Sequence, residues 1–317
     1  MLFNKADWYD YPMGPHLQAF LEISERDYKG EKAPPVSKER LAEFSSFLVD
    51  YFQDHKPQSN LEFVDLIEEM TSMGLSGAVV QFVDFNPEQA IEGDFRACLA
   101  LGSALMLESE LDEASLFLRQ AQGLAPLELA PYLNLTQIYF SMEQDEEAIR
   151  WAEKGLTLDP NNPRLWEILA SIYMYENKAT AGERIRQKAE SILSYAGMSL
   201  AAELIDPNDR LLKAQLLDDA FNAGSRDDEF LIEYTAALGM AEQFEKIPQV
   251  LWRLENMEKK TIHWKLFAHT AQAFLAMNKQ DEAQELIKKA ARSPHIPAAI
   301  IADLQRVYDS EIQPHSH

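Results

Sequence analysis

Few residues in this sequence have the type and spacing that chemistry requires. His263 and His269 lie six residues apart, which places them on different faces of a straight helix and argues against a shared metal ion. The single cysteine, Cys98, has no disulfide partner, and no paired Cys and His spacing of a zinc site accompanies it. Its helical, apolar context predicts an inert core thiol. We therefore expect no metal site and no cofactor.

Motifs of the common catalytic sites are also absent. The sequence has no G-x-S-x-G, no H-E-x-x-H, no phosphate-cradling glycine loop and no G-x-G-x-x-G. Pairs of acidic residues recur at the predicted starts of helices, where the helix dipole favours negative charge: Asp112-Glu113, Glu146-Glu147 and Asp281-Glu282. We expect a protein that is not an enzyme. The alternative is an unrecognised active site in residues 1–94, supported only by clustered acids.

Composition restricts the class of partner. The 317 residues carry a formal net charge of −23, which argues against nucleic acid and anionic membranes and favours a basic partner if the partner is charged. No apolar run reaches the length of about 18 residues that a membrane span requires, and the N-terminus does not resemble a secretory signal. With a single cysteine, these features predict a cytoplasmic protein without membrane insertion. Few glycines and abundant Ala, Leu and Glu predict an all-α fold.

The first third of the chain differs from the rest. Residues 1–94 are the most acidic part, and the adjacent prolines of residues 30–37 predict a linker. Ser37 is a suitable N-cap for a helix over Lys38–Asp54, and a second amphipathic segment covers Asn60–Met73. An aromatic-rich opening predicts an arm that packs on the body: Trp8, Tyr9, Tyr11 and Phe20.

A period of 34 residues organises the middle of the chain. Ala114 and Ala148 lie 34 residues apart, as do Pro126 and Pro160. The same period relates apolar residues of the first helices: Leu101, Leu135 and Leu169, and Tyr139 and Tyr173. Such a period is typical of stacked helix pairs. It predicts three tandem units over 95–128, 129–162 and 163–196.

The second unit carries a family resemblance. Residues 131–162 contain Tyr-x-x-Leu-x-x-x-Tyr, Glu-Glu-Ala-Ile and Leu-Asp-Pro-Asn-Asn, and this stretch resembles a tetratricopeptide repeat. The resemblance implies an α-solenoid, a right-handed superhelix of helix hairpins. Gly102 matches the small residue of the family pattern, whereas Cys98, Thr136 and Gly182 depart from it.

The repeat pattern weakens after residue 196. Residues 197–317 contain two degenerate units over about 228–261 and 264–297. A helical stretch over Leu211–Phe221 is out of phase with them, and Ala298–Tyr308 is predicted as a capping helix. The three predicted regions are thus 1–94, 95–196 and 197–317.

The resemblance also implies a concave groove that binds a peptide segment of a partner and is lined by the first helix of each pair. The residues expected to line it are Arg96, Leu99, Ser103, Met106, Leu133, Asn134, Gln137, Phe140, Arg164, Ile168, Ser171 and Tyr175. They are mainly apolar with a few polar donors, which suits apolar anchors of a bound peptide.

We expect a non-enzymatic adaptor or scaffold for protein–protein interaction. The groove is an incomplete version of the family's carboxylate clamp, because Leu99, Ser103 and Ile168 stand where the clamp has Lys, Asn and Arg. Its apolar lining is more similar to that of the tetratricopeptide chaperones of type III secretion. A secretion-type chaperone, a homo-oligomeric assembly factor and a groove filled by the N-terminal arm remain alternatives.

Overall fold

The computed structural model describes residues 46, 48, 56–57, 59–72, 74–86, 91, 93–257, 262–293 and 296–312, and these contain helices and no strand. The helices are α1 Asn60–Ser72, α2 Ser76–Asp84, α3 Phe95–Leu107, α4 Leu111–Leu124, α5 Ala130–Ser141, α6 Asp145–Leu158, α7 Pro163–Ile192, α8 Tyr195–Leu204, α9 Arg210–Ala223, α10 Asp228–Met240, α11 Lys246–Asn256, α12 Trp264–Ala276, α13 Gln280–Ala291 and α14 Ala298–Ile312. The predicted all-α class is confirmed.

Local sequence explains where the helices begin. The Asp94 side chain accepts a hydrogen bond from the Ala97 amide at the start of α3, and Asp227 accepts one from the Phe230 amide at the start of α10. Such caps satisfy amides that have no partner within the helix. The three predicted acidic pairs lie in the first turns of α4, α6 and α13.

The described residues up to Asp159 form one compact unit, here called unit 1. Its described helices pack as the hairpins α1/α2, α3/α4 and α5/α6. In α3/α4 the helices approach closely at Gly102, where an added Cβ would lie 2.7 Å from the Leu118 Cγ. The helix pairs predicted for 95–128 and 129–162 are therefore observed, and α1 covers the predicted segment Asn60–Met73 as far as Ser72.

Two departures from the repeat pattern are accommodated in the core of unit 1. Cys98 is fully buried, and its thiol lies 3.3 Å from the Ile91 carbonyl oxygen. Thr136 is fully buried, and its hydroxyl donates to the Tyr132 carbonyl one turn earlier, at 2.7 Å. The hydroxyl therefore carries no cost of an unsatisfied polar group. The prediction of Cys98 as a core thiol is confirmed.

The described residues from Pro160 onward form unit 2, and its first helix is the bent helix α7. Asn177 interrupts α7 with φ −161° and ψ 98°. Beyond it, the Arg184 guanidinium lies 3.6 Å from the centre of the Tyr173 ring, although eleven residues of straight helix would span about 16 Å. The chain therefore folds back at Asn177, and the helix pair predicted for 163–196 is present within α7.

The remaining helices of unit 2 pack in chain order. Gly197 of α8 contacts Trp166 and Ala189, and Gly182 of α7 lies against the backbone of Leu204. The predicted stretch Leu211–Phe221 lies inside α9. The predicted cap Ala298–Tyr308 lies inside α14, which packs on α12 and α13 and completes their core.

Several predictions lie outside the described residues. These are the linker at 30–37, the aromatic arm and the helix Lys38–Asp54, apart from residues 46 and 48, which are helical. The division into 1–94, 95–196 and 197–317 and the right-handed superhelix stay predictions. Helix hairpins stacked in chain order, as in an α-solenoid, are observed within each unit.

Candidate functional site

The first helices of the three hairpins in unit 1 lie side by side. Helix α3 packs on both α1 and α5. Hydrogen bonds across these contacts join Arg96 of α3 to Asp65 and Glu68 of α1, and Asn134 of α5 to Ser103 of α3. We call the surface formed by α1, α3 and α5 the first-helix face. Eight of the twelve predicted groove residues belong to it: Arg96, Leu99, Ser103, Met106, Leu133, Asn134, Gln137 and Phe140.

Arg96 already has partners within the protein. Its Nε donates to Glu68 at 2.9 Å and its Nη2 donates to Asp65 at 2.6 Å. Hydrogen bonds with these two carboxylates, Glu68 foremost, raise the pKa of Arg96. The guanidinium therefore contributes no free positive charge, and the end of the face near α1 is acidic. Arg96 was expected to line the groove, and its pairing with α1 leaves its guanidinium engaged within the protein.

The polar residues at the centre of the face are also engaged. The Ser103 hydroxyl donates to the Leu99 carbonyl at 2.7 Å and accepts from the Asn134 amide at 2.9 Å. The Gln137 amide donates to the Ser141 hydroxyl at 3.3 Å. These bonds fix the side chains in place, so the centre of the face is a pre-organised polar strip.

Apolar side chains flank the polar strip. Leu99 and Met106 on α3 and Leu133 and Phe140 on α5 are all partly exposed. Their neighbours on the packed side of the same helices, such as Leu101 and Leu135, are buried. Partial exposure at these four positions gives the face an apolar surface on which a bound chain could pack.

The four other predicted groove residues lie on α7 in unit 2. The Arg164 guanidinium lies 3.7 Å from Glu167, and the Ser171 hydroxyl donates to the Glu167 carbonyl at 2.8 Å. Tyr175 is 89% exposed, whereas Ile168 is only 4% exposed. Membership of these residues in one groove with the first-helix face stays a prediction.

Ile168 requires a correction. It was expected to line the groove, but it is a core residue of unit 2. It lies one repeat period after the partly exposed Asn134 and two after the buried Ala100, so its burial does not follow from the register alone. The register position of Met106 and Phe140 recurs at Met174, which is 39% exposed. Within the third repeat, Met174 is therefore the exposed residue at the register position that Met106 and Phe140 occupy in the first two repeats.

Unit 2 also contains a half-open pocket that the sequence did not predict. It has a volume of about 380 Å³ and lies where α10, α12 and the start of α11 meet. Its lining is mostly apolar: Ala236, Gly239, Met240, Phe244, Ile247 and Ala273, with Thr235, His269 and Gln272 as the polar members. One sequence feature could have indicated this site, namely the spacing of 34 residues between Thr235 and His269. These two side chains share a hydrogen bond of 2.8 Å.

His269 is the titratable group of this lining. Burial, and secondarily the charge of Lys265, lower its pKa. His263, in contrast, caps α12 and accepts a hydrogen bond from the Lys265 amide at 3.3 Å. The two histidines thus serve different local roles. Among the described residues, no group of three or more His, Cys, Asp or Glu is arranged to hold a metal ion.

No helix in the described part of the chain is both long enough and apolar enough to cross a membrane. The charged and polar residues on every amphipathic helix account for this, since a span needs about 20 consecutive apolar residues.

Comparison with known proteins gives one family match. Residues 129–162 match the family model of the tetratricopeptide repeat, and this segment contains α5 and α6. No curated protein matches the chain.

Solved structures of low sequence identity are also similar. MamA is 17% identical over 57% of this chain and 96% of its own, with a TM-score of 0.41. A tetratricopeptide repeat protein from Parabacteroides merdae is 14% identical over 80% of this chain and 100% of its own, with a TM-score of 0.37. The C-terminal part of a repeat-containing protein from Cytophaga hutchinsonii is 14% identical over 86% of this chain and 98% of its own, with a TM-score of 0.42.

Proposed function

We propose that this chain, in which residues 129–162 match the tetratricopeptide repeat, is a non-catalytic adaptor that binds a segment of a partner protein on the first-helix face of unit 1. The observation that carries the proposal is the pairing of a fixed polar strip with partly exposed apolar side chains on neighbouring helices. The strip contains Ser103, Asn134 and Gln137. Such a surface offers hydrogen bonds to a peptide backbone and contacts to its apolar side chains.

The charge of the first-helix face restricts the kind of partner segment that could bind there. Asp65 and Glu68 share the single guanidinium of Arg96, so this end of the face keeps a net negative charge. The chain as a whole also carries −23. We propose a partner segment with a basic residue for the α1 end and apolar anchors for Met106 and Phe140. Complementary charge would also speed association and make it sensitive to salt.

Capture of the partner by the immobilised full chain tests the proposal. Leu133→Asp and Phe140→Glu each place a carboxylate on the apolar part of the face, where a bound apolar side chain would leave it without water. We expect each variant to lose the partner while keeping the far-UV helical signal of the parent protein.

A matched control uses Leu116 on α4, which is 62% exposed and does not belong to the first-helix face. Leu116→Asp adds the same charge to the same unit, so its capture of the partner should be unchanged. If Leu133→Asp and Phe140→Glu captured the partner as well as the parent chain does, the first-helix face would not be the binding site.

A further inference from the structure

Another pocket of unit 2 lies where the end of α7, α8 and the end of α9 meet. Its volume of about 400 Å³ falls within the range of about 300–1,000 Å³ that is typical of ligand pockets. Three apolar and three polar residues line it: Leu193, Met198, Ala223, Glu190, Asp219 and Asn222. The apolar walls and the acidic side chains together restrict the kind of guest that could bind there.

Asp219 is partly buried in this pocket, and none of the described residues donates a hydrogen bond to its carboxylate. The neighbouring Lys246 is already engaged, because its Nζ lies 3.3 Å from the Asp218 Oδ2. Burial first, and then the charges of Asp218 and Glu190, raise the pKa of Asp219. The surroundings of this carboxylate therefore disfavour its negative charge, and a bound cation would stabilise it.

The other polar side chains of the lining also offer acceptor oxygens. The Glu190 carboxylate accepts a hydrogen bond from Arg186 at 2.7 Å, and the Asn222 Oδ1 accepts one from Arg253 at 2.9 Å. Each of these groups can accept a further hydrogen bond. The Asn222 amide is the one side-chain donor of the lining, and no lining residue is basic.

The charge of the guest follows from the two carboxylates. An anion would be repelled by Glu190 and Asp219, and a neutral guest would cover Asp219 without pairing its charge. A cation with an aliphatic stem pairs with the carboxylates and covers the apolar walls. An ammonium has three donors that can reach separate acceptors on α7 and α9, whereas the planar fork of a guanidinium suits both oxygens of one carboxylate. The lining therefore favours a lysine side chain.

We propose that this pocket is a second binding site, which takes the side chain of a lysine in a partner protein, with the ammonium paired to Asp219 and Glu190 and the stem against Leu193 and Met198. The site lies wholly in unit 2 and does not depend on the function proposed for the first-helix face.

A Gly-Lys-Gly peptide with blocked ends is the probe, and the same peptide acetylated on the lysine Nε is its matched comparison. Acetylation keeps the aliphatic stem and removes the positive charge. Titrations of the full chain labelled at the methionine methyl groups report binding through the NMR signal of Met198, identified with a Met198→Leu variant. We expect a saturable shift with the lysine peptide and about 10-fold weaker binding of the acetylated peptide, the usual effect of one lost hydrogen bond to a charged group.

Four results would overturn the proposal. The absence of a shift at Met198, or equal binding of the acetylated peptide, would exclude a lysine site in this pocket. Tighter binding of the corresponding arginine peptide would contradict the preference for an ammonium. Tighter binding of free n-butylamine than of the lysine peptide would point to a small amine instead of a partner protein.

Two substitutions of aspartate test the role of the charge. Asp219→Asn keeps the shape of the side chain, and we expect about 10-fold weaker binding of the lysine peptide. Asp281→Asn removes the same charge from an exposed position in the first turn of α13 and should leave binding unchanged. Equal affinity of Asp219→Asn and the parent chain, or equal weakening by both substitutions, would refute a direct contact with Asp219.

Two substitutions of alanine test the location. Ala223 is exposed at the end of α9 and lines the pocket, so Ala223→Leu should narrow the pocket and weaken binding of the lysine peptide. Ala291 is exposed at the end of α13, and Ala291→Leu should leave binding unchanged. Unchanged binding by Ala223→Leu would contradict the assigned pocket. These titrations need no partner protein, so failure here and failure of the capture experiment on unit 1 are distinguishable.

Discussion

Replacement of Gly102 by alanine tests the close approach of α3 and α4. An alanine Cβ at this position would lie 2.7 Å from the Leu118 Cγ and 3.3 Å from the Ala114 carbonyl oxygen. Leu118 is fully buried, so its side chain cannot move into solvent to relieve the overlap. The two helices must therefore separate slightly, or Leu118 must adopt a strained rotamer.

The magnitude follows from two opposing contributions. In a helix, alanine is favoured over glycine by about 0.8–1.0 kcal/mol, whereas overpacking a well-packed core costs about 1–3 kcal/mol. Gly123 of α4 supplies the matched control, because an added Cβ there contacts nothing within 4 Å. Gly123→Ala should therefore stabilise the hairpin, and Gly102→Ala should be less stable than Gly123→Ala by about 1–3 kcal/mol.

Native-state hydrogen exchange of peptides from α3 and α4 measures these differences locally. It avoids treating a chain of two compact units as a single two-state transition. We expect slower exchange in Gly123→Ala than in the parent chain, and faster exchange in Gly102→Ala than in Gly123→Ala by a factor of about 5 to 150. Equal slowing of exchange by both substitutions would show that α3 and α4 do not meet at Gly102.

Three further predictions concern stability in unit 2. Burial, together with neighbouring carboxylates, raises the pKa of Asp219, so ionisation of this side chain opposes folding as the pH rises. Asp219→Asn should therefore raise the urea midpoint of unfolding more at pH 7 than at pH 4.5. An equal rise at both pH values would contradict this explanation. Asp227 caps α10 through the Phe230 amide, so Asp227→Ala should cost about 1 kcal/mol of unfolding free energy, and an unchanged urea midpoint would exclude that contribution. Because the pKa of His269 is lowered in the folded chain, the unfolded chain binds the proton at a higher pH, and the free energy of unfolding should fall as the pH drops below about 6.5. His269→Asn should reduce that fall. Identical pH profiles for the variant and the parent chain would show that His269 does not cause it.

The repeat architecture could be predicted because the same packing recurs in each unit. Leu101, Leu135 and Leu169 were placed in register by counting alone, and all three are buried. Tyr139 and Tyr173 are buried as well. The first helix of each hairpin packs on its own second helix and on the neighbouring hairpins, so its apolar stripe must recur at the same spacing. The 34-residue period therefore predicts the fold.

The site was less predictable, because its chemistry depends on contacts between helices. The pairing of Arg96 with Asp65 and Glu68 joins α3 to α1, and no local pattern indicates it. Ile168 is buried although Asn134, one repeat period earlier, is partly exposed, so the repeat register alone could not place it. His269 was assessed only as a possible metal ligand beside His263, whereas its partner, Thr235, lies one repeat period away.

Site-specific photo-crosslinking tests the central claim, partner binding on the first-helix face, most directly. A photoreactive phenylalanine analogue at Met106 lies on this face, and the same group at the exposed Leu116 lies on α4. We predict a discrete covalent adduct with one partner protein from position 106 and none with that partner from position 116. An adduct from position 116 alone, or equal adducts from both, would contradict binding at the first-helix face.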